Sequence, residues 1–371
     1  MDSKSQVNEF LPSFGIRPAR LIGRSEVVSD FLYGLDQQIG HRQRATMLIG
    51  QRGTGKTSLL LEFDELAEAA GFVSARVTAS EDMLDDIIQT IQSKGAKYFP
   101  KKKRKVTGVS AGIAGFSFGL TFSEEVERQY GFRIKMELLC DRLAEVGKGV
   151  LILVDEVQPN TSAIRSLVTN YQHLIGDGKN IAMVLAGLPS SISAVLNDDI
   201  LTFLNRGYKV RLEPLPLPEV SLAYTLEFEK HDKEIDSKTL REIVEATKGH
   251  PYLYQLIGYY LMQYSQNHQE ISSEITARAI NASRQEMTDN VFLPILNPLS
   301  ARDKDFLNAM AIDEVISSTS DLEDRMEESA NYIQRYRSRL IDAGVIVPTG
   351  IGKLTFAVPY LREYLRGEFE L

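Results

Sequence analysis

The stretch ATMLI-GQRGTGKT-SLLLEF, residues 45–63, carries the reading on which the rest depends. Its opening, Ala45 to Ile49, is short, uncharged and mostly apolar, and it stops at Gly50, as a strand buried on both faces does. Gly50 to Thr57 then match G-x-x-x-x-G-K-[ST] at every specified position. From Lys56 to about Ala70, Leu59, Leu60, Phe63 and Leu66 recur at helical spacing, with Gly71 as the stop. Strand, glycine-rich loop and helix in this order make a phosphate-binding loop. Gly53 and Gly55 let backbone N–H groups turn inward around an anion. Lys56 reaches the β- and γ-phosphates, and the Thr57 hydroxyl ligates Mg2+. The helix that starts there aims its positive end at the same anion. An incidental glycine turn would lack the flanking strand and helix.

Outward from this loop, strands alternate with helices. Phe72 to Val77 reads as a strand and Glu81 to Gln92 as an amphipathic helix. Phe132 to Val146 is a helix, and Gly149 to Val154 (GVLILV) is a buried strand running into Asp155 and Glu156. Ala163 to Ile175 is a helix and Ile181 to Ala186 a strand. The alternation predicts an α/β fold, a three-layer parallel sheet with crossover helices. Ligands bind at the C-terminal ends of such strands, where Asp155 would hold the Mg2+ shell and Glu156 would orient and polarise the attacking water. If the strand Phe72–Val77 lies between the two motif strands in the sheet, the fold is the additional-strand, catalytic-glutamate class of phosphate-loop ATPases.

Composition bounds the rest. Among 371 residues, 42 Lys and Arg oppose 50 Asp and Glu, a formal net charge of −8. With 43% hydrophobic and 25% charged residues this is an ordinary globular chain of two or three domains. The acidic balance argues against a protein that coats nucleic acid along its whole surface, though not against a local basic patch. One cysteine, Cys140, excludes an intramolecular disulfide and a multi-cysteine zinc site. MDSKSQVNEF has no apolar h-region, and no apolar run reaches membrane-spanning length. A reducing, cytoplasmic setting and no membrane partner are expected.

Past Pro214, Pro216 and Pro218 the pattern becomes helical up to about Met287, and Leu293 to Pro298 (LPILNP) reads as a second linker. The tail then gives helices at Ser300–Asp313, Ser320–Met326 and Ser329–Ala343, and VIVPTGIGKLTFAVP closes with a hairpin turning at Gly350 and Gly352. That order suits a winged helix. In a DNA-binding reading the third helix offers Asn331, Gln334, Arg335, Arg337 and Ser338, and Lys353 on the wing touches backbone. The acids Asp321, Glu323, Asp324, Glu327 and Glu328 before that helix favour the rival, a protein-binding winged helix.

At this point the chain resembles the AAA+ ATPases, nearest the origin-recognition-like group and its relatives among STAND signalling and transposition ATPases. LIGRSEVVSDFL (Leu21–Leu32) is similar to the segment that precedes the phosphate loop. GQRGTGKTS and LILVDEVQ are similar to the two Walker motifs, TKGHPYLYQL (Thr247–Leu256) to the lid motif, and the tail to the winged helix after such lids. The resemblance implies ATP and Mg2+ as cofactors, with Gly50, Gln51, Arg52, Gly53, Thr54, Gly55, Lys56, Thr57 and Ser58 around the phosphates. It implies Thr57 and Asp155 for the metal, Lys56 and Glu156 for catalysis, and Arg24, His250 and Pro251 near the base or ribose. It divides the chain into an extension (1–20), an AAA+ core (21–215) with an insertion at about 98–125, a helical lid (216–292) and a winged helix (293–371). Arg206 stands where the family often carries an arginine finger, with Arg211 as its rival and a plain surface arginine as the bland alternative. A finger works in trans, so assembly into a homo-oligomer on ATP is expected. Two departures argue for slow or partner-stimulated hydrolysis. Ser190 is the sole candidate for the polar sensor, and a serine so near Pro189 is more often a helix N-cap. GHP also stands where a lid arginine is usual.

PKKKRKV, Pro100 to Val106, has the sequence of a viral nuclear-import signal. Its position inside the core favours a basic loop or finger, with Lys101, Lys102, Lys103, Arg104 and Lys105 as nucleic-acid candidates. The glycine-rich TGVSAGIAGFSFGLTF after it reads as a β-hairpin. Together these features predict an ATP-dependent switch acting on DNA or a DNA-bound partner. The alternative is a STAND-like ATPase whose winged helix binds protein and gates an ADP/ATP switch.

Overall fold

The structure, a computed structural model, describes residues 8–13, 15–99, 116–159 and 161–368. Two compact units result, one of Ser25–Gly50 with Lys56–Arg211, the other of Met1–Arg24, Gln51–Gly55 and Leu212–Leu371.

The first unit is built on five parallel strands: β1 (Ala45–Ile49), β2 (Phe72–Thr78), β5 (Gly149–Asp155), β6 (Ile181–Gly187) and β7 (Tyr208–Arg211). A separate two-stranded hairpin is made by β3 (Phe116–Phe118) and β4 (Thr121–Phe122). The large sheet runs in the order β2-β5-β6-β1-β7. Every residue of β5 and β6 is buried, the burial of strands covered by helices on both faces. The edge strand β7 instead exposes Lys209 and Arg211, charges that discourage pairing with another chain. The helix Lys56–Ala69 places Leu59, Leu60 and Phe63 in the core at zero exposure, each contributing roughly 1.5–3 kcal/mol by burial.

This order answers the question that the sequence leaves open for Phe72–Val77. Strand β2 lies at the sheet edge beside β5, and the strand between the two motif strands is β6, which pairs with β1 from Ala45↔Met183 to Ile49↔Gly187 and with β5 on its other side. A strand does separate the motifs, but it is the later one. Local periodicity does not carry strand order. Of the hairpin expected over Thr107–Phe122, the described residues pair at Phe116↔Phe122 and Phe118↔Thr121. Residues 107–115 and the basic run 100–106 lie outside the described residues.

In the second unit the helices Leu217–Lys230, Ser237–Ala246, Pro251–Tyr264 and Ser273–Met287 follow the proline-rich boundary. The tail carries helices Ala301–Ala311, Thr319–Met326 and Ala330–Asp342, with three short antiparallel strands, β8 (Ser317–Ser318), β9 (Ile346–Gly350) and β10 (Lys353–Phe356), in the order β8-β10-β9. The predicted helices and hairpin are there, and β8 is an addition. The linker expected at Leu293–Pro298 is not extended. A π-helical turn (Thr288–Phe292) runs directly into the helix Leu293–Leu296, and Phe292, Ile295 and Leu296 are buried. Pro294 stands at the second position of that helix, straight after the π-helical turn. These residues share one core with Leu253 and Leu256 of the earlier helix and with Phe306, Leu307 and Leu340 of the tail. No helix among the described residues is long and apolar enough to cross a membrane.

Candidate nucleotide site

In the first unit, β1 and β5 bring the motif side chains together at their C-terminal ends. The Thr57 hydroxyl donates to Asp155 Oδ2 at 2.7 Å, and Lys56 Nζ donates to the Gly50 carbonyl at 2.9 Å. Gly50 ends β1 and donates its N–H to the Gly187 carbonyl at 3.3 Å. Asp155 is buried, and its Oδ1 accepts the Glu156 N–H at 2.9 Å. Glu156 is exposed and left-handed, at φ 52°. That conformation is costly for a residue with a Cβ and is held here by the Val157 N–H donating to the Ala186 carbonyl at 2.9 Å. The carboxylate of Glu156 is thereby turned off the strand into solvent, one residue beyond the Asp155–Thr57 pair. Ser58 sits in the first turn of the helix Lys56–Ala69.

The loop residues Gln51–Gly55 group with the second unit. Gly53 and Gly55 have φ 73° and 90°, the left-handed region that glycine enters at no steric cost. Thr54 closes a tight turn, its hydroxyl donating to the Gln51 carbonyl at 2.8 Å. Arg24 and His250, expected near the base or ribose, touch the loop backbone. Arg24 is buried and donates to the carbonyls of Glu213 at 2.8 Å and Thr54 at 3.4 Å. Burial is the main cause holding its guanidinium below the usual arginine range, with Glu213 and Glu219 opposing. His250 Nε2 lies 3.2 Å from the Arg52 carbonyl. Burial pushes its imidazole down to about 4, so it is neutral at ordinary pH. Pro251 opens the next helix at its first turn. The backbone role of Arg24 and His250 escaped sequence reasoning. The available signal was Gly53, a glycine at a position that the loop motif leaves unspecified.

The remaining candidates are separate. Arg206 ends the short 3-10 helix Thr202–Arg206, Arg211 ends β7, and both are exposed. Ser190 is not an N-cap: Leu188 caps the helix Pro189–Leu196, and Ser190 lies within its first turn. Gln334, Arg335 and Lys353 are exposed, as are Asn331 and Ser338, while Arg337 is half-buried. Lys101–Lys105 lie outside the described residues. Cys140 is buried and its thiol is pushed up to about 12, which leaves it inert as a nucleophile.

With this geometry established, the comparisons place the chain. Residues 38–196 match the AAA domain family, and residues 289–365 match a domain of unknown function, DUF8462. A search of curated proteins finds no match. Among solved structures, the Walker-type ATPase of Pyrococcus abyssi is similar over 94% of this chain and 97% of that one, at 16% identity and TM-score 0.67. The Aeropyrum pernix ORC2 protein, solved as ADPNP-ADP complexes, is similar over 96% of both chains at 15% identity and TM-score 0.61. Cdc6p from Pyrobaculum aerophilum is similar over 98% of both at 15% identity and TM-score 0.50. Residues 38–196 are thus similar to an AAA domain, and the chain shares the fold of these solved structures.

Proposed function

We propose that this chain binds ATP with Mg2+, hydrolyses it slowly, and acts as a nucleotide-dependent switch on DNA or a DNA-bound partner. The observation that carries the reading is the 2.7 Å pair between Thr57, in the first turn of the helix Lys56–Ala69, and Asp155 at the end of β5. A hydroxyl and one carboxylate so placed suit Mg2+, which takes few protein ligands and completes its shell with phosphate and water. When bound, the ion would neutralise charge on the phosphates.

The chain's own residues do the rest. Gly53 and Gly55 free backbone N–H groups for the anion. Lys56 exchanges the Gly50 carbonyl for phosphate oxygens. Glu156 orients and polarises the attacking water. The tail's order of helix, β8, helix, helix and hairpin supports a winged helix, and the exposed Gln334, Arg335 and Lys353 are its candidate contacts to DNA.

Equilibrium ATP titration of Lys56→Ala is expected to show no binding, and Glu156→Gln is expected to bind ATP but lose turnover. Wild-type affinity in Lys56→Ala would remove the site assignment. Duplex DNA at low salt is expected to bind and to accelerate hydrolysis. If it does neither, the STAND-like reading, with a protein partner, takes its place.

A further inference from the structure

The phosphate loop is held from its carbonyl side. A carbonyl cannot donate, so the 3.2 Å contact with Arg52 O requires that His250 carry its proton on Nε2. Nδ1 is then a bare lone pair, buried and without a hydrogen-bond partner among the described residues. Leaving such an acceptor unmet is costly, so the ring is held there by its other contacts. The Arg52–Gly53 peptide is planar and trans, and the C=O and N–H of one peptide point to opposite sides. With the carbonyl on His250, the Gly53 N–H is directed away from the imidazole.

The fit at Gly53 is close. A Cβ added there would lie 2.5 Å from His250 Cε1, so glycine is required by the histidine as well as by its φ of 73°. The segment that delivers His250 is equally constrained. Lys248 and Gly249 are both left-handed, at φ 49° and 67°, and the His250 N–H donates to the Thr247 carbonyl at 2.8 Å. A Cβ on Gly249 would meet the Leu215 carbonyl at 2.6 Å.

We propose that His250 is a positioning residue for the nucleotide: by holding the Arg52 carbonyl it fixes the Gly53 N–H in its phosphate-binding direction and so sets affinity for phosphate rather than for base. The proposal rests on the ATP-binding reading above. Its test is titration of the full chain with ATP, ADP and adenosine, for wild type, His250→Leu and His250→Gln. His250→Leu is expected to weaken ATP and ADP about tenfold, equivalent to ~1.4 kcal/mol, and to leave adenosine unchanged. Gln places an amide N–H near the Nε2 position, so His250→Gln is expected to recover most of the loss.

Wild-type ATP affinity in His250→Leu overturns the proposal while leaving the ATP-binding reading intact. Equal losses for adenosine and ATP also overturn it, because they mark a general packing defect. Failure of wild type itself to bind ATP overturns both. Should His250→Leu not fold, Gly53→Ala probes the same junction from the loop side. A selective loss of ATP and ADP is expected there, and unchanged affinity counts against the proposal.

Discussion

A buried imidazole that stays neutral ties stability to pH. The His250 ring is lowered to about 4 from an ordinary 6.5, with burial the main cause, the Arg52 carbonyl opposing it, and no charged side chain contributing. Between those values the unfolded chain takes up a proton that the folded chain refuses. Stability is therefore full above the unfolded value and falls as pH drops through 6.5 toward 4. At about pH 5 the penalty amounts to about 2 kcal/mol. Urea melts of wild type and His250→Gln are expected to converge as pH falls from about 7.5 to 5, because Gln lacks the titration. Parallel curves would show that His250 does not couple to folding. Gly50, Lys56, Thr57, Asp155 and Glu156 could be picked out from the loop motif and from a buried strand ending in two acids. The backbone atoms that Arg24 and His250 touch were not legible, because these partners lie 30 and 198 positions away. A family motif names such residues without saying which atom they touch.

At the scale of elements, caps and amphipathic faces were legible because they are local. Ser300 and Ser329 cap the helices that start at Ala301 and Ala330, one residue inside the predicted starts. The linker at Leu293–Pro298 was misread because two prolines suggest a break, whereas the apolar Ile295 and Leu296 gain more by packing in helical form. The capping box at Ser300 carries a further consequence. Asp303 is fully buried, accepts from the Ser300 N–H and hydroxyl, and takes Arg339 Nη2 at 2.6 Å. Asp303→Ala removes both a cap and a charge-assisted bond, worth about 2–3 kcal/mol together. Denaturant unfolding of that variant is expected to show this loss, with Asp303→Asn intermediate. A change within error would mean that Arg339, half-exposed, gives the carboxylate no net stabilisation.

At the scale of the whole chain, strand order and shared cores were the illegible part, since both come from contacts between distant segments. The core that joins Leu253 and Leu256 to Phe306, Leu307 and Leu340 means that the tail does not own its interior. A fragment of residues 293–371 lacks the covering Leu253, Leu256, Met287 and Phe292. It is expected to give poorly dispersed amide spectra and to bind a hydrophobic dye, whereas a fragment of residues 217–371 keeps that core. A well-dispersed spectrum from the shorter piece would refute the dependence.

The same unit is also tied to the far end of the chain. Asn8 Nδ2 donates to the Tyr259 carbonyl at 3.2 Å, the Leu11 N–H donates to Gln255 Oε1 at 2.9 Å, and the Phe10 ring packs edge-on to Tyr254 at 5.4 Å. The Leu11–Gln255 partners are 244 positions apart. At a synthesis rate of about 5–20 residues per second, the later partner leaves the ribosome roughly 10–50 s after the earlier one. During that interval Phe10 has no niche to occupy. The helix Pro251–Tyr264, with His250 as its N-cap, is completed by a segment made well before it.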